Sequence, residues 1–250
     1  MVSLRSITSG GKAIYLAYDQ GLEHGPESDF NNKNVDPLYI LDIAKKSKVN
    51  GVVFQKGIAE KYRKEIKASK IPLIIKLNGK TSLLKGEPFS EQICTVKRAL
   101  NLGASAVGFT IYIGSKHEAH MFKDFSKIER EAHKLGLPVI AWIYPRGKGI
   151  KNDTSRENMA YAARTGLELG ADMVKIKYGG KPKDLQWAVK SAGRCKVVVA
   201  GGTKTREGEF LKQVKDIMKA GASGIAVGRN VWQHEKPIEI TKKIQKIVWK

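Results

Sequence analysis

Asp172-Met-Val-Lys-Ile-Lys-Tyr178 alternates as a β-strand does, and its two faces differ in kind. Successive strand side chains point to opposite sides of a sheet, so Val174 and Ile176 share one face while Met173, Lys175 and Lys177 share the other. On a buried central strand, two lysines on one face lose hydration and repel each other. Both effects lower a lysine pKa toward neutrality. An amine without its proton is a nucleophile that can attack a ketone and form a Schiff base. The competing reading is an edge strand whose lysines stand in water. The rest of the chain decides between them.

Working outward, short β-branched runs alternate with helical stretches, the signature of parallel strands joined by crossover helices. Strands are expected at 13–19, 51–55, 73–77, 106–112 and 138–144 before the opening stretch, and at 196–200 and 224–227 after it. Helices are expected from Pro37, with Asp36 as its cap, and at 59–67, 90–102, 116–135, 155–169 and 207–220. Glycines at 103, 170 and 221, each followed by alanine, stand where a helix ends and the next strand begins. Residues 172–178 thus form the sixth of eight strands, and the expected fold is one (β/α)8 TIM barrel over residues 1–250, close to the usual length of about 250 for that fold. A doubly wound open sheet is the alternative. It usually carries a glycine-rich dinucleotide fingerprint after its first strand, where this chain has Asp19-Gln-Gly-Leu-Glu-His-Gly25.

Composition narrows the function classes. Two cysteines, Cys94 and Cys195, without C-x-x-C spacing give no disulfide framework, so a reducing, cytoplasmic location is expected. The amino terminus lacks the apolar core of a signal peptide, and no stretch reaches the roughly 18 apolar residues of a membrane span. The net charge of +21 raises nucleic-acid binding as a rival function. However, the lysines are scattered, and no basic tail, zinc finger or RNA-binding signature is present. Attraction of a phosphorylated substrate is the preferred explanation.

In such a barrel the active site lies at the carboxyl ends of the strands, and parity selects the candidates there. Asp19 shares a face with Tyr15 and Ala17, Trp142 and Tyr144 share one with Ile140, and Lys76 shares one with Asn78. Each has a plainer reading: Asp19 as a turn residue or helix cap, Tyr144 as a loop anchor before Pro145, Lys76 as the partner of a neighbouring carboxylate. Their convergence on one mouth points to catalysis. The loops after the last two strands, Ala200-Gly-Gly-Thr-Lys204 and Val227-Gly-Arg229, fit a phosphate site made of exposed backbone N–H groups with Lys204 and Arg229 adding charge. Metal binding is not expected. His117 and His120 lie three apart without H-E-x-x-H spacing or a third ligand, and His24 reads as a substrate-contacting group.

Six segments taken together, AYDQGLEHGP (17 to 26), VVFQKGIAEKY (52 to 62), KLNGKT (76 to 81), YPRGK (144 to 148), ADMVKIKYGG (171 to 180) and GIAVGRNVWQ (224 to 233), resemble the archaeal-type class I fructose-1,6-bisphosphate aldolases in order and over nearly the whole chain. The resemblance implies a single barrel, a chemistry free of metal and cofactor, and a homo-oligomer, a decamer of two stacked pentamers. It implies Lys175 as the Schiff-base lysine, Tyr144 as the residue handling protons, Asp19 as the acid beside the lysine and Trp142 packed on the substrate. It also places Gly201, Gly202, Lys204, Gly228 and Arg229 on the phosphate loops. Arg146, Lys148 and His24 are expected at the far phosphate. Gln20 stands where several relatives have histidine, which bears on sugar length, and Thr203 where proline is frequent. Related barrels include transaldolase-like 2-amino-3,7-dideoxy-heptulosonate synthases. Their equivalent strand tends to lose the second lysine, so the presence of Lys177 favours the aldolase.

Overall fold

The computed structural model describes residues 2–250, and eight parallel strands close into a barrel. They are β1 (Ala13–Ala17), β2 (Gly51–Gln55), β3 (Leu73–Lys76), β4 (Ala104–Ile113), β5 (Val139–Pro145), β6 (Met173–Ile176), β7 (Lys196–Ala200) and β8 (Gly224–Val227). Each pairs with its sequence neighbour, and β8 closes on β1 with Ala13 opposite Gly224. Lys175 on β6 lies between Trp142 of β5 and Val198 of β7. The strand is therefore central, and the edge-strand reading is excluded.

Helices alternate with the strands: α1 (Pro37–Ser47), α2 (Arg63–Ser69), α3 (Val96–Asn101), α4 (Glu118–Lys134), α5 (Arg156–Glu168), α6 (Pro182–Ser191), α7 (Glu207–Lys219) and α8 (Pro237–Val248). The Asp36 carboxylate accepts a hydrogen bond from the Leu38 N–H at 2.9 Å, capping α1 as its sequence position requires. Gly103, Gly170 and Gly221 have φ of 89°, 84° and 88°, the left-handed conformation in which glycine ends a helix without a Cβ clash. Among the described residues no helix is long and apolar enough to cross a membrane.

Strand parity separates two apolar layers. Val174 and Ile176 join the large core between sheet and helices, whereas Tyr15, Val53, Ile74, Ile140, Trp142, Met173, Val198 and Ala226 fill the barrel itself. The amino end of the barrel is closed by the turn Leu4–Ser6 and Ile7, whose carbonyl accepts from the Tyr15 hydroxyl at 3.0 Å. Toward the other end the Trp142 ring occupies the space beside Gly108. A Cβ on that glycine would lie 1.6 Å from the ring, so the absent side chain on β4 is what lets the indole lie across the barrel.

Several boundaries differ from expectation, among them that of β6, which stops at Ile176 and leaves Lys177 just past the strand. β1 stops at Ala17 because Asp19, at φ −92° and ψ 1°, turns the chain into a short helix, Gln20–His24. The stretch 59–67 is split, Lys56–Lys61 and then α2, with the break at Tyr62. The helix expected over 90–102 begins only at Val96, behind the Thr95 cap. Glu91–Gln92 instead pairs antiparallel with Asn78–Gly79, and the N–H groups of Ile93 and Cys94 both donate to the Leu77 carbonyl. Backbone groups bound to β3 in this way are not free to join a helix.

Candidate active site

The carboxyl ends of the strands surround a cavity of about 330 Å³. Its wall includes Asp19, Lys76, Trp142, Tyr144, Lys175 and Lys177, together with Gly201, Gly202, Gly228 and Arg229. The inward positions of β3, β5 and β6 supply Lys76, Trp142, Tyr144 and Lys175, as parity requires, while Asp19 and Lys177 come from just past β1 and β6.

Lys175 is 7% exposed, and its Nζ lies 5.3 Å from the centre of the Trp142 ring. Burial pushes its ammonium below the ordinary lysine range; Asp19 pulls upward, and Lys76 adds to the lowering. The source of repulsion therefore differs from the sequence expectation. Lys177, the other lysine of the strand face, forms an ion pair with Asp153 and lies 6.0 Å from the Tyr144 ring centre. The opposing charge comes across the barrel from Lys76 on β3.

Lys76 is 1% exposed and bonded to two carboxylates, with its Nζ 3.3 Å from Asp19 and in a closer pair with Glu23. Burial opposes its charge, yet Glu23 and Asp19 overcome burial and hold it above the ordinary range. Asp19 is buried as well. Burial raises its pKa, but Lys76 and then Lys175 outweigh burial and leave the carboxyl below its usual range. The site thus holds a fixed ammonium, a fixed carboxylate and an amine whose proton is weakly held.

Tyr144 lines the same cavity. Burial, followed by Asp19 and Glu23, pushes its phenol well above the ordinary tyrosine range, so it carries its proton at neutral pH. The Arg146 guanidinium stacks between Tyr112 and Tyr144, 5.3 and 5.5 Å from the ring centres, and lines the cavity.

At the β7 and β8 side, Arg229 is fixed by Asp29 at 3.2 Å and by the Gly202 carbonyl at 3.4 Å. The Asn230 side chain donates to the carbonyls of Gly201 and Thr203 at 3.0 and 2.8 Å, which sets the shape of the glycine loop. Asp29 also bonds His24 Nδ1 at 2.7 Å, so one buried carboxylate positions two cavity-lining groups. Four buried polar atoms on this wall, Gln20 Oε1, Trp142 Nε1, Tyr178 Oη and Arg229 Nε, have no partner within the protein. Such atoms on the wall of a cavity suit a polar ligand.

Two expected residues lie elsewhere. Lys204 points away from the cavity, donating to the Gln233 carbonyl at 2.9 Å, because alternation stops where the strand ends and the loop turns outward. Lys148 is absent from the wall, and its N–H is directed to Glu87 at 3.3 Å. Asn78 is committed to structure, bonding Ser90 and Thr110. His117 and His120 pack on the Phe89 ring, and among the described residues no group of three His, Cys, Asp or Glu is arranged to hold a metal ion. Glu23, Asp29 and Asp153 were missed, since they sit in loops and one-turn helices where no periodicity marks a face. For Glu23 and Asp29 the available signal was the density of acidic residues in the short segment after β1; Asp153 had none.

Residues 13–234 match the DeoC/LacD family aldolase. The chain is 52% identical to the fructose-bisphosphate aldolase class 1 of Thermoproteus tenax, over 98% of this chain and 93% of that protein. It is 45% identical to the protein of the same name from Halobacterium salinarum, over 97% and 92%. It also matches the structure of an archaeal fructose-1,6-bisphosphate aldolase whose catalytic lysine is covalently bound to the carbinolamine intermediate of its substrate. That match has a TM-score of 0.93 at 50% identity and covers 99% of this chain and 98% of the other.

Proposed function

The chain belongs to the DeoC/LacD family of aldolases, and we propose that Lys175 is the amine through which it acts. The reaction is reversible cleavage of fructose 1,6-bisphosphate to dihydroxyacetone phosphate and glyceraldehyde 3-phosphate, by the class I, Schiff-base route. Lys175 in its amine form attacks the carbon 2 carbonyl to give a carbinolamine. Tyr144, whose phenol holds its proton, donates it to the departing hydroxyl, which leaves as water. The iminium that remains is opposed by the Asp19 carboxylate. A phenolate formed where the phenol is so strongly favoured is a strong base, and it takes the proton of the carbon 4 hydroxyl. The bond between carbons 3 and 4 then breaks, its electron pair passing into the enamine, and the aldehyde leaves. Protonation of carbon 3 and hydrolysis of the iminium return the lysine and release dihydroxyacetone phosphate.

The observation that carries this reading is a buried lysine with a lowered pKa facing a buried carboxylate and a protonated phenol. Borohydride reduction with substrate should fix an adduct on Lys175, located by peptide mass spectrometry. An adduct on any other lysine, or none, would overturn the assignment.

The order of groups round the barrel supports a bisphosphate. The glycine loops and Arg229 close β7 and β8, Lys175 stands on β6, and Arg146 follows β5. Phosphate on carbon 1, the reacting carbon 2 and phosphate on carbon 6 fit these positions in turn, with His24 and Lys177 also on the wall. Assembly is part of the same reading: Tyr161 on α5 is 67% exposed and Trp187 on α6 is 43% exposed, and they line one groove, suited to burial in a homo-oligomer such as the stacked pentamers. Two buried, free cysteines are in keeping with a reducing cytoplasm.

A further inference from the structure

The mechanism uses Asp19, Tyr144 and Lys175 and leaves a buried pair unexplained. Lys76 and Glu23 form an ion pair inside the barrel mouth, and Lys76 also bonds Asp19. Burying charges is costly unless they are paired and hydrogen-bonded, and a stable core does not require them. Around Lys175, the titratable groups are Asp19 at the end of β1, Glu23 on the short helix after it, Lys76 on β3, Tyr112 on β4 and Tyr144 on β5. Lys177, Arg146 and Arg229 stand further along the cavity wall. Level with the site, the inward residues of β2, β7 and β8, Val53, Val198 and Ala226, carry no charge, and Lys196, of the same parity as Val198, is exposed at the amino end of β7.

Counting charge in this cluster separates the roles. Asp19 and Glu23 as carboxylates with Lys76 as ammonium give a net single negative charge, which faces the positive iminium on Lys175 beside the phenolate that Tyr144 becomes. Without Glu23, Lys76 would consume the charge of Asp19, and only the Tyr144 phenolate would balance the iminium. Without Lys76, two carboxylates would face Lys175 and hold its proton more tightly, removing the amine. We propose that Glu23, acting through Lys76, is a positioning residue that reserves the Asp19 carboxylate for the iminium on Lys175. This rests on Lys175 being the Schiff-base residue. Glu23 touches neither the substrate carbonyl nor the lysine in this scheme. Its effect is to leave Asp19 uncompensated at the moment positive charge develops, a fixed electrostatic arrangement that needs no rearrangement during the reaction.

The proposal makes opposite predictions for the two partners. Glu23→Gln removes a negative charge, so the pH at which activity is lost through protonation of Lys175 should move down by about one unit, while kcat falls about 10- to 100-fold because the iminium is less stabilised. Lys76→Met removes a positive charge and should move that pH up by about one unit. Adding Glu23→Gln to Lys76→Met should bring it back toward the wild-type value without lowering kcat further, since the route through Lys76 is already cut. Shifts in the same direction, no shift in either variant, or a further fall of kcat in the double variant would overturn the proposal. Should Lys76→Met fail to fold, Glu23→Gln decides alone. Glu23→Asp, which keeps the charge, should then restore most of kcat, and its failure to do so would count against the proposal. Borohydride trapping in the wild-type enzyme separates the two readings: absence of adduct on Lys175 removes the Schiff-base assignment, whereas adduct with unmoved pH profiles removes only the role given to Glu23.

Discussion

In the proposed mechanism Tyr144 can be separated from Lys175, because the two are assigned to different atoms. Tyr144→Phe removes the phenolic proton and leaves the amine untouched, so borohydride trapping on Lys175 should persist while turnover drops about 10²- to 10⁴-fold, the usual worth of a positioned acid–base group. A change of less than about threefold in kcat would make Tyr144 a bystander. The pH profile follows from the sign of the Lys175 shift. In that mechanism the amine is the reactive form, and a lowered pKa keeps more of it unprotonated at neutral pH than an exposed lysine would have. Plotted as kcat/KM, activity should hold as pH falls until it reaches that lowered pKa and then decline about tenfold per unit, with the limb lying below the ordinary lysine range. These residues were legible because a strand repeats every two positions: once 172–178 and 138–144 are strands, Lys175, Trp142 and Tyr144 must face one interior. Lys204 shows where that reasoning ends. It lies four residues past the last of β7, beyond any alternation, and the loop carries it outward.

At the scale of elements, the strands were legible nearly to the residue and the segments between them were not. β2, β7 and β8 fall where the β-branched runs predict, since a strand buried on both sides reads as an apolar run with sharp ends. The stretch 90–102 was misread because Ser90 to Thr95 is tied to the end of β3 by side-chain and backbone bonds that no local pattern announces. The contact between β4 and β5 was equally hidden, since a glycine at 108 looks like a weak point in a strand. In the structure it is the place where Trp142 fits. Gly108→Ala should therefore force the indole to move, costing about 1–3 kcal/mol as an overpacked core does. Because the same ring lies against Lys175, turnover should fall along with the urea midpoint. A variant with wild-type turnover and an unchanged midpoint would show that the barrel accommodates the methyl by another route.

The whole molecule carries a net charge of +21, and the cavity concentrates part of it: Lys76, Arg146, Lys175, Lys177 and Arg229 stand against Asp19 and Glu23. On the outside, Tyr161 and Trp187 are large exposed aromatics sharing one groove. If this groove is buried between copies, Trp187→Glu should lower the sedimentation coefficient by splitting the assembly, and an unchanged value would place the interface elsewhere. Charge in the cavity bears on the choice of sugar. Arg229 and Arg146 are separated round the barrel by β7 and β6, with Lys175 between them, so on the proposed reading a substrate with phosphate at both ends would span the mouth while one with a single phosphate would use only half of it. Charge-assisted hydrogen bonds contribute roughly 1.5 to 3 kcal/mol each, so losing two such contacts at carbon 6 should lower kcat/KM by about 10²-fold or more. Fructose 1-phosphate is therefore expected to be cleaved far less efficiently than fructose 1,6-bisphosphate. Arg146→Ala should remove most of that difference, weakening the bisphosphate strongly and the monophosphate little. Equal efficiencies for the two sugars in the wild-type enzyme would show that the carbon 6 phosphate lies in solvent. A preference that survives Arg146→Ala would move its site to other groups of the wall, His24 first among them.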